Sequence, residues 1–412
     1  MIYEGPAVVR SRSIQFPAGC RVTFDWYVGT RVRVYADDAP ALPLFDDRLE
    51  FEIPDVTFLA EPIALTVESS PGRSPAFDAV LTVSHAFRGG IDAPITKLII
   101  HVCNLPPGFL EEEDWLRLDM STGEWKIAIH ETQGSAAKYE NVRVNGGAAV
   151  THLLTFERAR AGSFLHEDVA ELQDALRHLM SFAFGRRIAF LLPVGIDSAG
   201  DQVFEIWGDP RRHTHTSGIP WYSPHRSTSL RHLWAGLLGR WADPRSRATL
   251  KVAIDLYTDA HHGPPLESRL VLAYAGLDML AWHWLREETD LSRQELKRLK
   301  AEGRLRATLQ GMGVSTRIPE DLETLGRVFG ALDGPKILNT LRNQFAHAKT
   351  PERILTMPAP AKLDAWRLAL WYFELILFHL CGFTGYYLNR VRPLDRWATE
   401  TEVPPWLEGE EF

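Results

Sequence analysis

The spacing of hydrophobic residues changes once along the chain, near residue 209. Before this point, short apolar runs alternate with polar positions, as in Arg31–Tyr35 and Trp125–Ile129. Successive side chains of a strand point to opposite faces, so this alternation predicts half-buried strands. Clusters of Gly, Pro, Asp and Ser separate the runs. Many short strands with such turns are typical of a β-sandwich or a distorted barrel.

A single helix is predicted within this first half, at about Glu167–Phe184. Its apolar residues recur every three or four positions from Val169 to Phe182, which is the spacing of one buried helix face. Residues 1–209 are therefore predicted to form a strand-rich sensor or regulatory region. Residues 210–228 contain three prolines and no periodicity, and we expect a linker there.

From residue 229 to residue 398 the hydrophobic pattern is helical. Ser292 followed by Glu295 is a capping box, which marks a helix start. The remaining residues, 399–412, are predicted to be an acidic, frayed tail. The fold class expected is multidomain α+β, with strands first and a helical bundle second. The predicted helices are Ser229–Ala242, Arg247–Asp259, Leu266–Glu288, Ser292–Glu302, Pro319–Leu332, Gly334–Lys349 and Ala361–Arg390.

Composition narrows the class of protein. With 45% hydrophobic and 24% charged residues, the chain is not expected to be disordered. Cys20, Cys103 and Cys381 lie far apart, which excludes a disulfide scaffold and favours a reducing, cytoplasmic location. No secretory signal is recognised at the start of the sequence. The most apolar segment, Leu368–Phe383, contains an internal Glu and His. We therefore predict a buried helix there and no membrane contact.

Charge is unevenly distributed along the chain. The net charge is −8, and most of it belongs to the strand-rich half, because the helical half has nearly equal numbers of basic and acidic residues. A solvated helix face and a surface that contacts RNA phosphates both remain open as interpretations. The basic residues within one predicted helix and its exit are Arg293, Lys297, Arg298, Lys300, Arg304 and Arg306.

The strongest candidate for chemistry is the segment Leu341–Lys349, LRNQFAHAK, with Arg342, Asn343 and His347. An Arg followed by a His at similar spacing also occurs at 160–166 and 226–232. Only the 342–347 pair has Asn directly after Arg, and only this pair lies on a predicted helix between long apolar helices. Upstream, Asp278 interrupts an apolar helix.

These features resemble the HEPN superfamily, the higher-eukaryote and prokaryote nucleotide-binding domains, many of which carry an RNxxxH motif. The resemblance covers roughly Arg247 to Arg390. It is greatest to the ApeA-like HEPN proteins of bacterial anti-phage defence, which place a strand-rich region before the HEPN domain. HEPN domains often carry an acidic residue in a helix such as the one that contains Asp278.

The resemblance implies a metal-independent endoribonuclease without a cofactor. It would cleave tRNA or other RNA in abortive infection, leaving a 2′,3′-cyclic phosphate and a 5′-hydroxyl. It also implies a homodimer formed through the HEPN domain, with Ala361–Arg390 or its neighbours at the interface. A phage-derived or cellular trigger would act on the strand-rich region.

The residue types suit this chemistry. A histidine exchanges protons near neutral pH, and the arginine guanidinium offers a fork of donors that matches a charged phosphorane. The helix dipole near the end of a helix favours the imidazolium form of His347. Arg342 and His347 would point about 140° apart on an ideal helix, which favours a site shared by two chains. Asn343 and His347 share a face, so Asn343 would orient the histidine or bind phosphate.

Several alternatives remain open. The chain could be a catalytically inactive HEPN protein that acts as a dimerising ligand- or partner-binding module, or the motif could be accidental. Asp278 either supports Arg342 by an ion pair across the bundle or is solvated. The histidines at 213, 215, 225 and 232 fit an exposed polar loop better than a metal site, and the same holds for the pair His261–His262. Trp207 and Trp221, near the linker, are candidates for exposed stacking surfaces.

Overall fold

Both parts that the sequence predicts are present: a strand-rich unit and a helical unit. The computed structural model describes residues 3–10, 15–25, 29–36, 49–54, 56–68, 76–108, 117–208, 220–223, 226–262, 265–347, 356–397 and 399–407. The first unit comprises Met1–Pro107, Leu116–Glu171 and Ala189–His215. The second comprises Gly108–Trp115, Leu172–Ile188 and Thr216–Phe412. The predicted linker, 210–228, falls mostly outside the described residues.

The first unit is built on antiparallel strands, most of them rich in β-branched or aromatic residues. They are β1 Tyr3–Arg10, β2 Gln15–Asp25, β3 Gly29–Ala36, β4 Leu49–Ile53, β5 Val56–Glu68, β6 Ala76–Gly89, β7 Lys97–Cys103, β8 Arg117–Asp119, β9 Trp125–Glu131, β10 Val150–Arg158, β11 Phe190–Ile196 and β12 Gln202–Gly208.

Strands β1 to β6 pair in a closed ring. Strand β3 pairs with β2 on one side and with β6 on the other, and the order β6-β5-β4-β1 completes the circle. Of the two architectures expected, sandwich and barrel, the ring has the topology of the second. The sheet then continues from β6 through β12, β11, β7, β10, β9 and β8.

The described residues of the strand-rich half contain two α-helices, whereas the sequence predicts one. Helix α1, Ser135–Asn145, was not predicted, because only Ser135 and Val142 are buried and its hydrophobic pattern is correspondingly weak. Helix α2, Ala170–Ala183, lies where a helix was expected and follows a short 3-10 turn, His166–Val169. From Leu172 onward this helix belongs to the helical unit, which the sequence did not indicate.

His152 on β10 makes the stability of the first unit sensitive to acid. Its side chain is fully buried, and burial lowers its pKa from 6.5 to about 3. The unfolded chain binds a proton below pH 6.5 and the folded chain does not, so stability falls as the pH drops from 6.5 toward 3. We expect urea unfolding to show a loss of about 1 kcal/mol between pH 7 and 5.5. The loss should shrink in His152→Gln, and an equal loss in both proteins would contradict this assignment.

The helical unit contains α3 Ser227–Trp241, α4 Pro244–His261, α5 Leu266–Glu288, α6 Arg293–Arg298, α7 Lys300–Gly311, α8 Glu323–Phe329, α9 Gly334–Ala346, α10 Ala359–Leu380 and α11 Leu394–Trp397. A two-stranded sheet joins β13 Tyr387–Leu388 to β14 Thr401–Glu402, and a 3-10 turn follows at Pro405–Leu407. Helix α5 has the predicted bounds.

Several predicted elements differ from the structure; the helix predicted at Pro319–Leu332 is the shorter α8, and α7 beyond Glu302 was not predicted. The helix expected at Ser292–Glu302 is two helices, because Lys300 takes a left-handed backbone angle, φ 42°. The helix expected to reach Arg390 ends ten residues earlier, where Gly382 adopts φ 59°, a conformation that glycine accepts without strain. The tail is not entirely frayed, since Glu402 on β14 accepts hydrogen bonds from Tyr387 and Asn389.

Helix α10 forms the centre of the helical unit. Most of its residues are buried, and Glu374 in its second half is fully enclosed. The Nε of Arg390 donates to both carboxylate oxygens of Glu374 at 3.0 Å, and Arg390 also donates to the hydroxyl of Tyr257 at 3.1 Å. No helix in the described part of the chain is long and apolar enough to cross a membrane.

The two tryptophans considered for stacking surfaces are core residues. Trp207 is 1% exposed and Trp221 is fully buried. The indole of Trp221 donates to the carbonyl of Phe182 at 3.0 Å and packs edge-on against Phe378. The expectation of exposed aromatic surfaces near the linker is therefore wrong for both residues, because each fills a core position.

Candidate functional site

Helix α9 carries the candidate motif, and its amphipathic pattern determines which side chains remain accessible. Asp333 caps the helix by accepting from the backbone N–H of Lys336 at 3.0 Å. Ile337, Leu338 and Leu341 are buried against the rest of the unit. The motif follows directly after this apolar face, in the last turn.

The three motif residues lie at the accessible end of α9. Arg342 is half-buried, whereas Asn343 and His347 are exposed. Arg342 donates to the side-chain oxygen of Asn343 at 2.9 Å. Neither Arg342 nor His347 has a carboxylate partner among the described residues. The structure thus leaves a cation, an amide and an imidazole available to a ligand.

His347 is not a helical residue. The helix ends at Ala346, and His347 is the cap, with φ −124° and ψ 37°. Its backbone N–H still donates to the carbonyl of Asn343 at 3.1 Å. The expected separation of about 140° from Arg342 assumed a continuous helix, so it does not describe the direction of this side chain. Residues 348–355 lie outside the described part.

Asp278 does not support Arg342, contrary to one of the two expectations. It accepts from Nε and from Nη2 of Arg304, at 2.9 and 2.6 Å. Helices α5 and α7 run parallel, since Asp278 meets Arg304 and the carbonyl of Ala281 accepts from Thr308 one turn later. The parallel arrangement of α5 and α7, which the sequence does not reveal, places Arg304 beside Asp278.

The other basic residues of the predicted cluster divide into two groups. Arg306 is paired, with Nε 2.7 Å from Asp333 and Nη2 2.9 Å from Glu302. Arg304 is paired with Asp278, as described above. The remaining four are exposed and have no ion pair with a described residue: Arg293, Lys297, Arg298 and Lys300.

Tyr274 on α5 is a neighbour of the motif that sequence reasoning missed. Its side chain is 4% exposed and its hydroxyl donates to Asn339 on α9 at 3.2 Å. Burial, and then the charge of Asp278, raise the pKa of Tyr274, whereas Arg342 acts in the opposite direction. The available signal was its position four residues before Asp278, on the same helix face.

Removal of the Asp278 carboxylate should destabilise the helical unit modestly. Arg304 is only 13% exposed in its side chain, and it would lose a bidentate partner. We expect Asp278→Ala to lower the free energy of unfolding by about 1–2 kcal/mol, measured by urea denaturation. A double-mutant cycle with Arg304→Ala should show coupling, and one with Arg342→Ala should be additive. Coupling to Arg342 instead would contradict the pairing.

The described residues contain no group of three or more His, Cys, Asp or Glu side chains placed to hold a metal ion. The histidines at 213, 215 and 225 lie outside the described residues. His261, at the end of α4, is enclosed by aromatic rings, and burial, with the charge of Arg390, lowers its pKa well below the usual value.

Two regions of the chain are similar to domains of known proteins. Residues 92–218 match the family model described as the YopA central domain, and residues 243–403 match that of the YopA C-terminal domain. The SPbeta prophage-derived uncharacterized protein YopA of Bacillus subtilis (strain 168) is 25% identical over 281 residues. The alignment covers 67% of this chain and 63% of that protein, less than two thirds of its length. No solved structure matches.

Neither match includes the closed ring of the first unit. The closed ring β1–β6 ends at Gly89, before the central-domain match begins. The C-terminal match contains α4 to α11 and both strands of the small sheet. Arg342, Asn343, His347 and Asp278 therefore all lie within the region similar to the YopA C-terminal domain.

Proposed function

We propose that the helical unit is a HEPN-type endoribonuclease that cleaves RNA without a metal, by attack of the 2′-hydroxyl. The observation that carries this proposal is the end of α9, where Arg342, Asn343 and His347 are accessible together. Nearby, Arg304 and Arg306 are occupied by acidic partners. Arg342 has no acidic partner among the described residues, so its charge is free to bind a phosphate.

Each residue has a distinct role in this reaction. His347 takes or gives the proton as the 2′-oxygen attacks and the 5′-oxygen leaves. Arg342 stabilises the additional negative charge of the phosphorane. Asn343, which accepts from Arg342 at 2.9 Å, positions the guanidinium and can donate its own N–H groups to the phosphate. The products are a 2′,3′-cyclic phosphate and a 5′-hydroxyl.

A homodimer would complete the site. The reaction needs both a general base and a general acid, and one copy offers one exposed histidine in the motif. Most of α10 is enclosed in its own unit, but Leu363 near its start leaves about two fifths of its surface exposed. Val328 on α8 and Leu332 before α9 are exposed to the same degree, so the interface we propose uses the start of α10 together with these neighbours.

The setting that we propose is defence of a bacterium against phage, with the strand-rich unit as the sensor of a phage-derived or cellular trigger. The relative named above is prophage-derived, which is consistent with a role in competition between phages and their host. The RNA targets would include tRNA, and cleavage would stop growth of the infected cell.

End mapping tests this function. The full chain is incubated with total tRNA and a mixed RNA pool in EDTA, and each cut is then repeated on an oligonucleotide with a single 2′-O-methyl group on its 5′ side. We expect cyclic phosphates and no cleavage of the methylated strand. RNA binding without cleavage would instead support the inactive, dimerising module, and cleavage that ignores the methyl group would exclude 2′-hydroxyl attack.

A further inference from the structure

Helix α9 runs antiparallel to α7, and their ion pairs fix the register. Asp333 at the start of α9 meets Arg306 on α7 at 2.7 Å. One turn on, Lys336 meets Glu302 at 3.2 Å, and Asn339 lies 3.4 Å from the same carboxylate. Residues later in α9 therefore contact residues earlier in α7. Arg342 therefore lies level with the start of α7.

The start of α7 is a sharp junction with α6. Helix α6 ends at Arg298 and α7 begins at Lys300, whose left-handed φ of 42° turns the chain between them. Arg304 ties the two helices together by donating to the carbonyl of Leu296 at 3.4 Å. Arg298 and Lys300 are both exposed at this junction, at the same end of the bundle as Arg342.

Two acidic residues near this end, Glu302 and Asp278, are paired with cations, whereas Glu295 is hydrogen-bonded only to a serine and keeps its charge. Glu302 accepts from Arg306 at 2.9 Å and from Lys336 at 3.2 Å. Asp278 is engaged by Arg304, and the side chain of Glu295 accepts from the N-cap Ser292 of α6. Among the described residues near this end, the cations without an acidic partner are those on α6, those at the α6–α7 junction, and Arg342. The field that a ligand meets here is therefore positive.

We propose that Arg298, Lys300 and Arg342 form one track that holds successive phosphates of an unpaired RNA strand. The strand crosses the α6–α7 junction and reaches His347 at the end of α9. This inference rests on the proposed ribonuclease and names its substrate class. An unpaired strand is favoured because in-line attack by the 2′-hydroxyl needs a flexible backbone, which the A-form duplex restricts. Phosphate contacts of this kind hold a strand irrespective of its sequence.

Binding and cleavage can be separated by a probe that cannot react. A fluorescent, unstructured RNA with 2′-O-methyl groups throughout is titrated against the full chain over a range of salt concentrations. For the double variant Arg298→Glu with Lys300→Glu, we expect a dissociation constant at least about tenfold higher. The slope of log affinity against log salt should fall by about two.

Two further variants serve as controls. Arg245→Glu removes an exposed arginine at the other end of α5, where Ser246 lies 3.2 Å from His283, and it should bind the probe like the wild type. Lys300→Gly removes one charge at a backbone angle that glycine prefers. It should lower the salt slope by about one without loss of thermal stability, so weaker binding in this variant cannot be due to misfolding.

The outcomes distinguish the track from the nuclease. Salt-dependent binding that is lost in the double variant supports the track, even if the wild type never cleaves RNA. Unchanged binding and an unchanged salt slope in the double variant overturn the track, even if the wild type is an active nuclease. Tighter binding to the same sequence in a duplex overturns the assignment to an unpaired strand.

Discussion

Replacing His347 by alanine is expected to lower the rate of RNA cleavage by about 10²–10⁴-fold, the range typical of removing a general acid or base. The side chain is exposed and has no hydrogen-bond partner among the described residues, so its loss should leave thermal stability nearly unchanged. Cleavage is measured as initial rates on a tRNA pool in EDTA, alongside a thermal unfolding curve of each protein.

The matched control is His232, an exposed histidine on α3 that ends another of the Arg–His pairs at similar spacing. His232→Ala should cleave like the wild type, because spacing alone does not make a site. If His347→Ala and His232→Ala retain the same rate, His347 has no role in the chemistry. Arg342→Lys should also be slow, because an ammonium cannot offer the forked pair of donors, whereas accidental proximity would tolerate the change.

Replacing Glu374 by alanine is expected to lower the free energy of unfolding by about 3–5 kcal/mol. Arg390 and Glu374 are both 0% exposed in their side chains. Removal of the carboxylate leaves a guanidinium in the core without its charge partner, and this is the costly state. The measurement is the urea midpoint and slope, read by tryptophan fluorescence.

A second variant separates the unpaired charge from the lost volume. Glu374→Leu with Arg390→Met removes both charges and keeps apolar volume, and it should recover about 1–4 kcal/mol relative to Glu374→Ala. The control pair is Glu323 and Arg327 on α8, 3.9 Å apart and about three quarters exposed or more. Glu323→Ala should change stability little. A similar loss in Glu323→Ala and Glu374→Ala would show that burial of the pair is not the cause.

The elements predicted best are those whose signals are local. The bounds of α5 follow from its long amphipathic pattern, and Pro265 precedes its first residue. The capping box of Ser292 and Glu295 is present, with Glu295 N–H 3.3 Å from the serine oxygen. The position of Arg342 near the end of a helix was also predicted, because the apolar residues before it keep helical spacing.

The rest depends on contacts distant in sequence. No local sequence signal indicates that β3 pairs with β6 and closes the ring, because strand pairing depends on contacts throughout the sheet. Asp278 could have met any of several arginines, and the parallel course of α5 and α7 selected Arg304. The break between α6 and α7 at Lys300 was not predicted, because the polar residues keep helical spacing across it. At Gly382, by contrast, a glycine was available as a stop signal, but the apolar residues around it hid the helix end.

The buried pair of Glu374 and Arg390 also limits how the chain can be shortened. Arg390 comes from the segment after α10, so a fragment that stops at Leu380 would carry an orphaned carboxylate at its centre. The next segment in turn depends on Glu402, which Tyr387, Asn389 and Arg392 all engage. A helical fragment intended to fold by itself, or a fusion made at its carboxyl end, therefore needs the native sequence through Glu402. A proteolytic nick before that point should release insoluble protein, not a smaller stable domain.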